Sequence, residues 1–200
     1  MSQVQLSDTL REWRESAFYW QKHADTIRIM FGPVTETLIE EADLNEGDTV
    51  LDVACGAGEP SLTIAKRVGP SGSVICTDAI PEMIAAAQSE AQRRGITNVA
   101  FRQCTADSLP FESASFDAVV CRLGVMFFPD PLAGLREMLR VTKREGAIAL
   151  AVWGKSDLNP FSYLITDVVA RYSDAATPAD PNAPGAFRFA EPGSLARILA

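Results

Sequence analysis

The chain has 200 residues, 47% of them hydrophobic and 22% charged, a composition typical of a folded globular protein. This composition excludes a disordered chain, a collagen or a disulfide-stapled miniprotein as a description of the whole sequence. The formal net charge of −8 is opposite in sign to that of a typical non-specific nucleic-acid binder. No apolar stretch approaches the ~18 residues that a bilayer-spanning helix needs, and residues 1–15 turn charged too early for a signal peptide. We therefore expect a cytoplasmic protein with no membrane span and no nucleic-acid partner.

The first 45 residues are predicted to form a helical cap. Apolar residues recur at helical spacing over 7–43, and Gly32-Pro33 interrupts the pattern before a second helix at 34–42. This pattern divides the chain into two units, an N-terminal cap, 1–45, and a main domain, 46–200.

In the main domain, short apolar strands alternate with amphipathic helices. The predicted strands are 49–55, 73–78, 99–104, 116–122 and 147–153. The predicted helices between them are 59–68, 81–94 and 131–142. Strands that are apolar throughout and separated by helices predict a parallel sheet covered on both faces. The expected fold class is therefore α/β, a Rossmann-like doubly wound sheet with an N-terminal helical lid.

The last part of the chain departs from this alternation. Its pattern predicts a helix at 161–172, a loop or lid rich in Pro, Ala and Asp at 173–185, and a helix at 192–200 that ends without a cap. We therefore expect the chain to end within an element.

The cysteines and the histidine argue against a metal site. The sequence has one histidine, His23, and four cysteines with no CxxC or CxC spacing, Cys55, Cys76, Cys104 and Cys121. A metal site needs several such ligands close together, so we expect none. Buried free thiols in a reducing compartment are the expected state of these cysteines.

A glycine-containing turn follows the first predicted strand. Gly56 and Gly58 lie in this turn, where glycine lets a ligand approach the backbone closely. Asp78 ends the second strand, 22 residues after Gly56, where a carboxylate can bind a ribose diol. The combination fits a dinucleotide or another adenosine ligand. The dinucleotide pattern GxGxxG is incomplete, because Ser61 stands at its last position.

Charge favours one of these ligands. Residues 36–59 hold eight acids and no base, with Glu59 at the helix start. Such a loop repels a pyrophosphate and suits S-adenosylmethionine, which carries a sulfonium and an ammonium but no phosphate. Asp52, in an apolar strand, is predicted to attract the ammonium directly or through water. The alternative is that Asp52 and Glu59 cap the helix, and we favour this alternative for Glu59 alone.

A third carboxylate follows the third predicted strand. The position of Asp107 predicts contact with the far end of the ligand, such as the adenine amino group, although an Asx-turn explains a lone Asp equally well. Asp52, Asp78 and Asp107 each fall at or just past the end of a different strand. Ligands of open parallel sheets bind at that edge, so the coincidence indicates a ligand site.

Together these motifs resemble the class I S-adenosylmethionine-dependent methyltransferases, in the broad group similar to ubiquinone and menaquinone C-methyltransferases. The resemblance covers roughly residues 30–155. The matching stretches, in the order of the family, are 50–58, 77–78, 81–83, 107–111, 115–119, 127–131 and 140–141.

The resemblance implies S-adenosylmethionine as cofactor. In that family the glycine loop cradles the methionine part, the residue matching Asp78 binds the ribose, and the residue matching Asp107 contacts adenine. The expected cofactor-binding residues are Asp52, Ala54, Cys55, Gly56, Gly58, Asp78, Ala79, Ile80, Met83, Ala106, Asp107, Ser108, Arg122 and Leu123.

The sequence departs from the family at its end. The family fold has seven strands and closes with an antiparallel hairpin, and only five strands can be placed here. We therefore expect a chain truncated at its C-terminus. The fifth strand would then be an exposed apolar edge, which a homodimer would cover. Within the loop, Ala54 replaces the first glycine of the family, which changes little.

Methyl transfer from a sulfonium is an in-line displacement, in which the protein positions the nucleophile and excludes water. A general base is needed only where the acceptor must lose a proton. No clear catalytic residue is visible, and Tyr19 and His23 of the cap are the candidates. The aromatic rings around them either face the sulfonium by cation–π attraction or pack the helix.

The cap and the residues after the fourth and fifth strands predict the acceptor pocket. Its expected lining is Tyr19, Trp20, Met126, Phe127 and Trp153. An apolar, aromatic lining indicates a small, partly hydrophobic acceptor molecule. The sequence thus predicts a methyltransferase. Two alternatives stay open: an NAD-dependent oxidoreductase on a similar sheet, and a non-catalytic module that keeps the fold.

Overall fold

The computed structural model describes residues 3–160, 168, 180 and 183–198. Five strands form one sheet: β1 (Thr49–Val53), β2 (Ser73–Asp78), β3 (Val99–Gln103), β4 (Phe116–Arg122) and β5 (Thr142–Ala151). They lie in the spatial order β3-β2-β1-β4-β5, and every neighbouring pair is parallel. The predicted α/β fold with a parallel sheet is confirmed.

Helices flank this sheet. In chain order they are α1 (Gln3–Lys22), α2 (Ala24–Met30), α3 (Gly32–Glu41), α4 (Ser61–Val68), α5 (Pro81–Arg94) and α6 (Pro131–Val141). Short helical turns lie at Val125–Phe127, before α6, and at Ser156–Leu158 and Ser194–Arg197, after β5.

Each strand contributes to two cores, because successive strand residues point to opposite faces of a sheet. Val50 lies in the core beneath α3, α4 and α5, whereas Leu51 lies in the core beneath α6. Both side chains are fully buried. Burial of a side chain of this size contributes roughly 1.5–3 kcal/mol, so the two cores hold the sheet and its carboxyl edge in place.

Four predicted strand boundaries were wrong, and β3 and β5 end one and two residues earlier than predicted, at Gln103 and Ala151. β5 begins at Thr142 rather than 147, because Thr142 already pairs with Phe116 ahead of an irregularity in the register. β1 ends at Val53 rather than 55, because Ala54 has a φ of 61° and turns the chain out of the strand.

The N-terminal region contains three helices where the periodicity predicts two. α1 and α2 meet at His23, and the break predicted at Gly32-Pro33 is the first turn of α3.

α1 packs against α5 and thereby covers the carboxyl edge of the sheet. Ala17 of α1 forms a small third core with Ile80 and Met83, and the half-buried rings of Trp13 and Trp20 pack against it. The cap is therefore fixed to the main domain beside the strand ends.

The predicted helix at 161–172 and most of the predicted loop at 173–185 lie outside the described residues. The predicted helix at 192–200 is present as a short helix, Ser194–Arg197. Among the described helices, none combines the length and the apolar character that crossing a bilayer requires.

The described part of the tail returns to the main domain. Phe189 is buried in the core beneath α6, and the N–H of Gly185 donates to the carbonyl oxygen of Met126 at 3.1 Å. β5 lies at the edge of the five-stranded sheet. A homodimer that covers this edge stays a prediction.

Candidate active site

A cavity of about 490 Å³ lies at the carboxyl edge of the sheet, beneath the cap helices. Residues that follow β1, β2, β3 and β4 form its floor, and α1, α2 and the residues that lead into α3 form its roof. Ligands of open parallel sheets bind in this position. The floor consists of Ala54, Cys55, Gly56, Ala57, Asp78, Ala79, Ala106, Asp107, Arg122 and Leu123.

The turn between β1 and α4 exposes backbone to the cavity. Ala54 and Gly56 have positive φ values of 61° and 55°. Gly56 and Ala57 line the cavity, and the N–H of Ala57 has no hydrogen-bond partner among the described residues. Successive N–H groups in such a turn form a concave site for an anionic group of a ligand.

Asp78 ends β2 and lines the cavity. Its Oδ2 accepts a hydrogen bond from the N–H of Gly56 at 3.0 Å, and its Oδ1 accepts one from the N–H of Ile80 at 2.9 Å. Burial raises the pKa of this carboxyl, and the backbone N–H donors oppose that shift by favouring the charged form. Each oxygen retains a lone pair, so Asp78 can accept two further hydrogen bonds, as from a diol.

Asp52 lies beneath the loop and does not line the cavity. Its Oδ2 accepts hydrogen bonds from the N–H of Ser61, at 3.1 Å, and from the Ser61 hydroxyl. Its Oδ1 has no partner among the described residues. Burial raises the pKa of Asp52 to about 7, although the Ser61 bonds and the charge of Arg122 lower it. The structure does not bring Asp52 to the cavity wall, and its contacts with Ser61 are those of the alternative, a cap at the start of α4. Attraction of the ammonium by Asp52, directly or through water, stays a prediction.

Arg122 ends β4 and lines the cavity. One terminal nitrogen donates to Oγ1 of Thr35 at 2.7 Å, and the other donates to the carbonyl oxygen of Glu59 at 2.9 Å. Its Nε has no partner among the described residues, and its Cζ lies 5.3 Å from the centroid of the Phe31 ring. Burial lowers the pKa of the guanidinium, and the nearby charge of Asp52 opposes this shift.

Two further carboxylates that line the cavity are neutralised by arginines of α5. Glu59 forms an ion pair with Arg94, and Oε1 of Glu90 lies 2.6 Å from Nη2 of Arg93. The stretch 36–59, which has no base of its own, is therefore less negative in the fold than in the sequence. The expectation that this loop repels anions has to be weakened accordingly.

Six aromatic side chains line the cavity: Trp13, Trp20, Phe31, Phe127, Phe128 and Trp153. Trp13 meets Phe127 edge to face, with ring centroids 5.0 Å apart, and lies 5.8 Å from Trp20. Phe31 packs against Trp153 at 5.9 Å between centroids. Such a wall binds apolar groups and attracts cations through the ring faces.

Two of the four cysteines, Cys55 and Cys104, line the cavity, and the pKa of each thiol is raised, which disfavours a thiolate nucleophile. All four are free, and Cys55, which lines the cavity, is fully buried. A hydrogen bond with Cys76 and burial raise the pKa of Cys55 well above its ordinary range, so it stays a thiol. Within the described residues, no three His, Cys, Asp or Glu side chains are grouped to hold a metal ion.

The cavity brings together most of the predicted site residues. The predicted cofactor-binding residues that line it are Ala54, Cys55, Gly56, Asp78, Ala79, Ile80, Met83, Ala106, Asp107, Arg122 and Leu123. The predicted acceptor-pocket residues that line it are Trp20, Phe127 and Trp153.

The other predicted site residues do not line it: Tyr19, His23, Asp52, Gly58, Ser108 and Met126. On α1, residues seven apart share a face, so Trp13 and Trp20 point inward and Tyr19 points outward. Tyr19 is 63% exposed, and His23 is exposed at the junction of α1 and α2. The structure therefore does not bring either side chain to the cavity, and their catalytic roles stay predictions.

The remaining corrections reflect packing. Met126 is fully buried in the core beneath α6. Gly58 is needed for helix packing, since a Cβ there would lie 3.1 Å from Cδ1 of Leu62 and 3.3 Å from Cα of Ala87. Ser108 is exposed beyond the cavity floor.

Several residues of the cavity were not predicted: Trp13, Ile27, Phe31, Thr105 and Asp130. The spacing of seven between Trp13 and Trp20 is a signal that could have identified Trp13. Phe31 has no such signal, because its contact with Arg122 depends on how the cap packs on the sheet.

A family model described as a methyltransferase domain matches residues 44–171, more than half of the chain. This chain belongs to the methyltransferase-domain family. The prediction of the family from its motifs is confirmed, and membership in the ubiquinone and menaquinone subgroup stays a prediction.

Sequence relatives agree with this assignment. Nocamycin O-methyltransferase of Saccharothrix syringae is 31% identical over 179 residues, which are 84% of this chain and 63% of that protein. The uncharacterised methyltransferase YcgJ of Bacillus subtilis is 39% identical over 113 residues, 56% of this chain and 44% of YcgJ. The chain spans less than half the length of the first curated relatives that it matches.

Solved structures are also similar. An S-adenosylmethionine-dependent methyltransferase from Aquifex aeolicus superposes with a TM-score of 0.57 at 30% identity, over 60% of this chain and 64% of that one. YcgJ superposes with a TM-score of 0.54 at 34% identity, over 68% of this chain and 57% of that one.

Proposed function

We propose that this chain binds S-adenosylmethionine and transfers its methyl group to a small, partly apolar acceptor. The observation that carries the proposal is the arrangement of Asp78, the free N–H of Ala57 and Asp107 around one cavity at the strand ends. The relative from Aquifex aeolicus supports the donor, and the O-methyltransferase of Saccharothrix syringae supports methyl transfer to a small molecule.

In this proposal each floor residue meets a different part of the donor. Asp78 accepts hydrogen bonds from the two ribose hydroxyls, for which its oxygens retain lone pairs. Asp107, past β3, accepts from the adenine amino group, and Ile80 and Met83 pack against the base. The N–H of Ala57 donates to the carboxylate of the methionine part.

The donor supplies an activated methyl group on a sulfonium. The protein positions the reacting groups and shields them from water. The aromatic walls exclude water from the reacting atoms, and their ring faces stabilise positive charge. An in-line displacement in a shielded cavity needs orientation above all, which the packed cap provides. We accordingly propose that residues 1–45 form the cap of the site and residues 46–200 the donor-binding domain.

Calorimetric titration with S-adenosylhomocysteine tests the proposal, with NADH as the control ligand. We expect saturable binding of S-adenosylhomocysteine and none of NADH. Binding of NADH alone would overturn the proposal in favour of an oxidoreductase. Binding of neither ligand would overturn it in favour of a module without a cofactor.

A further inference from the structure

Arg122 is a buried cation on which the charges of Asp52 and Glu59 act from beyond ion-pair distance. Its side chain is 9% exposed, and it donates only to a hydroxyl and a carbonyl oxygen. No carboxylate among the described residues forms an ion pair with it, and its Nε–H is unpartnered. Buried charges are normally paired with an opposite charge. A guanidinium with donors to spare at a cavity wall therefore points to an anionic ligand.

The side chains of the cavity that could accept a proton are engaged by other partners. None of the described residues that line it is a histidine, a lysine or a tyrosine. Of the five carboxylates that line it, Glu59 and Glu90 are held in ion pairs, and Asp78 is held by backbone N–H groups. Asp130 accepts a hydrogen bond from the N–H of Ala133 at the start of α6, and the proposed function assigns Asp107 to the adenine amino group. An acceptor that reacts here must therefore be ionised when it binds, or be ionised by a nearby positive charge.

Charge is unevenly distributed along the sheet edge. Asp78 and Asp107 follow β2 and β3, whereas Arg122 and Trp153 follow β4 and β5, at the opposite end of the strand order. The proposed donor brings a sulfonium and an ammonium into this cavity. A third cation beside them is unfavourable unless an anion lies between.

We infer that Arg122 binds an oxyanion of the acceptor and that the acceptors of this site are apolar molecules that carry a carboxylate, phenolate or enolate. The inference rests on the proposed function. Phe31 and Trp153 wall the apolar body, and the guanidinium of Arg122 stabilises the negative oxygen and aligns it with the methyl group.

The reaction then balances without a proton transfer. An oxygen lone pair forms the new C–O bond while the S–CH3 bond breaks and its electron pair stays on sulfur. The sulfonium becomes a neutral thioether, and the oxyanion becomes a neutral methyl ester or ether. Such loss of charge is favoured in a cavity shielded from water.

The test compares two probes that differ in charge and little in shape, 2-naphthoate and 2-naphthamide. Binding is followed through the fluorescence of Trp13, Trp20 and Trp153, which line the cavity, with S-adenosylhomocysteine at saturation. We expect the wild-type complex to bind the naphthoate roughly tenfold more tightly than the naphthamide, since one charge-assisted contact has about this value. Equal affinities for the two probes would overturn the inference, and this comparison requires no variant.

Variants test whether Arg122 causes the preference for naphthoate over naphthamide. Arg122→Gln should bind both probes equally, and Arg122→Lys, which keeps a positive charge, should retain part of the preference. Arg136→Gln is the matched control, because it removes the same charge from the exposed side of α6. Retention of the full preference in a folded Arg122→Gln protein would contradict the inference.

The donor carries a carboxylate too, and it must be distinguished from the acceptor. Methylthioadenosine lacks this carboxylate and serves as the comparison. If Arg122→Gln weakens binding of S-adenosylhomocysteine but does not change binding of methylthioadenosine, Arg122 binds the carboxylate of the donor and the inference is wrong. Failure of the wild type to bind S-adenosylhomocysteine would instead contradict the proposed function. The two failures are therefore separate observations.

Discussion

The two ends of the cavity are built in different ways. At the β2–β3 end, Asp78 and Asp107 reach the cavity from the ends of strands and the turns that follow them. At the β4–β5 end, Trp13 and Phe31 of the cap complete a wall that the strands only begin. The first end is determined by sheet topology, and the second by how the cap packs on the sheet.

The ends also differ in charge. Asp78 and Asp107 lie at the β2–β3 end, and Arg122, together with Asp130 bound to the start of α6, lies at the other. This polarity suits a methyl donor whose hydroxyls and amino group need hydrogen-bond acceptors. It also suits a methyl acceptor that binds as an anion. The predictions therefore begin with Asp52, the buried carboxyl beneath the loop, and continue with the donor end and then the cap.

The largest effect is expected from Asp52, the buried carboxyl beneath the loop. Its pKa is raised from 3.8 to about 7, so the folded chain holds a proton that the unfolded chain releases between these pH values. Stability therefore falls as pH rises through this window and stays low above it, by on the order of 4 kcal/mol at most.

Asp52→Asn should remove this dependence, because the amide keeps an acceptor for Ser61 and carries no charge. Urea unfolding from pH 4 to 8 measures it. The stability of Asp52→Asn relative to wild type should increase up to about pH 7 and then level off. Asp157→Asn, at an exposed position, should run parallel to wild type. If the free energy of unfolding of Asp52→Asn ran parallel to that of wild type across this pH range, Asp52 would be ionised in the folded protein already at low pH.

Asp78→Asn tests the donor end. The amide retains one acceptor oxygen for Gly56 or Ile80 and loses the second oxygen and the charge. We expect a roughly ten- to hundredfold loss of affinity for S-adenosylhomocysteine, the size of one or two charge-assisted hydrogen bonds. Calorimetry measures it, with Asp157→Asn again as control. Unchanged affinity would remove Asp78 from the site.

Alanine substitutions at the two loop glycines compare the cost of backbone strain alone with the cost of strain plus a steric clash. Gly58→Ala should lower the free energy of unfolding by about 2–3 kcal/mol, because φ is 108° and the new Cβ meets Leu62 and Ala87. Gly56→Ala should cost about 1 kcal/mol, because φ is 55° and nothing lies within 4 Å of the new Cβ. Urea denaturation of the two variants compares them. Equal losses would show that strain, and not packing, determines the cost.

The donor end was predictable because short-range patterns determine it. Apolar runs locate the strands, topology places their carboxyl ends together, and residues such as Asp78 and Asp107 follow from those two facts. Asp52 shows the limit of this reasoning. A carboxylate near a strand end can face the ligand or the next helix, and only the position of Ser61 in the fold decides between them.

The acceptor end was less predictable because its contacts are distant in sequence. Arg122 and Thr35 are separated by 87 residues, and Arg94 and Glu59 by 35. No local pattern indicates that these side chains meet, and the neutralisation of Glu59 reversed part of a charge argument drawn from the sequence alone. Helix periodicity identifies the face of Trp20, but it cannot tell which surface that face will cover.

The smallest effect is expected from Tyr19, a residue first suggested for catalysis, and its comparison with Trp20 separates the two faces of α1. Trp20 lines the cavity and packs near Ile80 and Met83, so Trp20→Ala should weaken S-adenosylhomocysteine binding several-fold. Its neighbour Tyr19 is exposed, so Tyr19→Ala should leave the affinity within about twofold, since an exposed side chain seldom contributes more than about 0.5 kcal/mol. Calorimetric titration of both variants with S-adenosylhomocysteine shows which face of α1 meets the ligand, because the two variants remove adjacent aromatic rings from one helix. A larger loss in Tyr19→Ala than in Trp20→Ala would mean that α1 presents its opposite face to the bound ligand, and the description of the cap would then have to change.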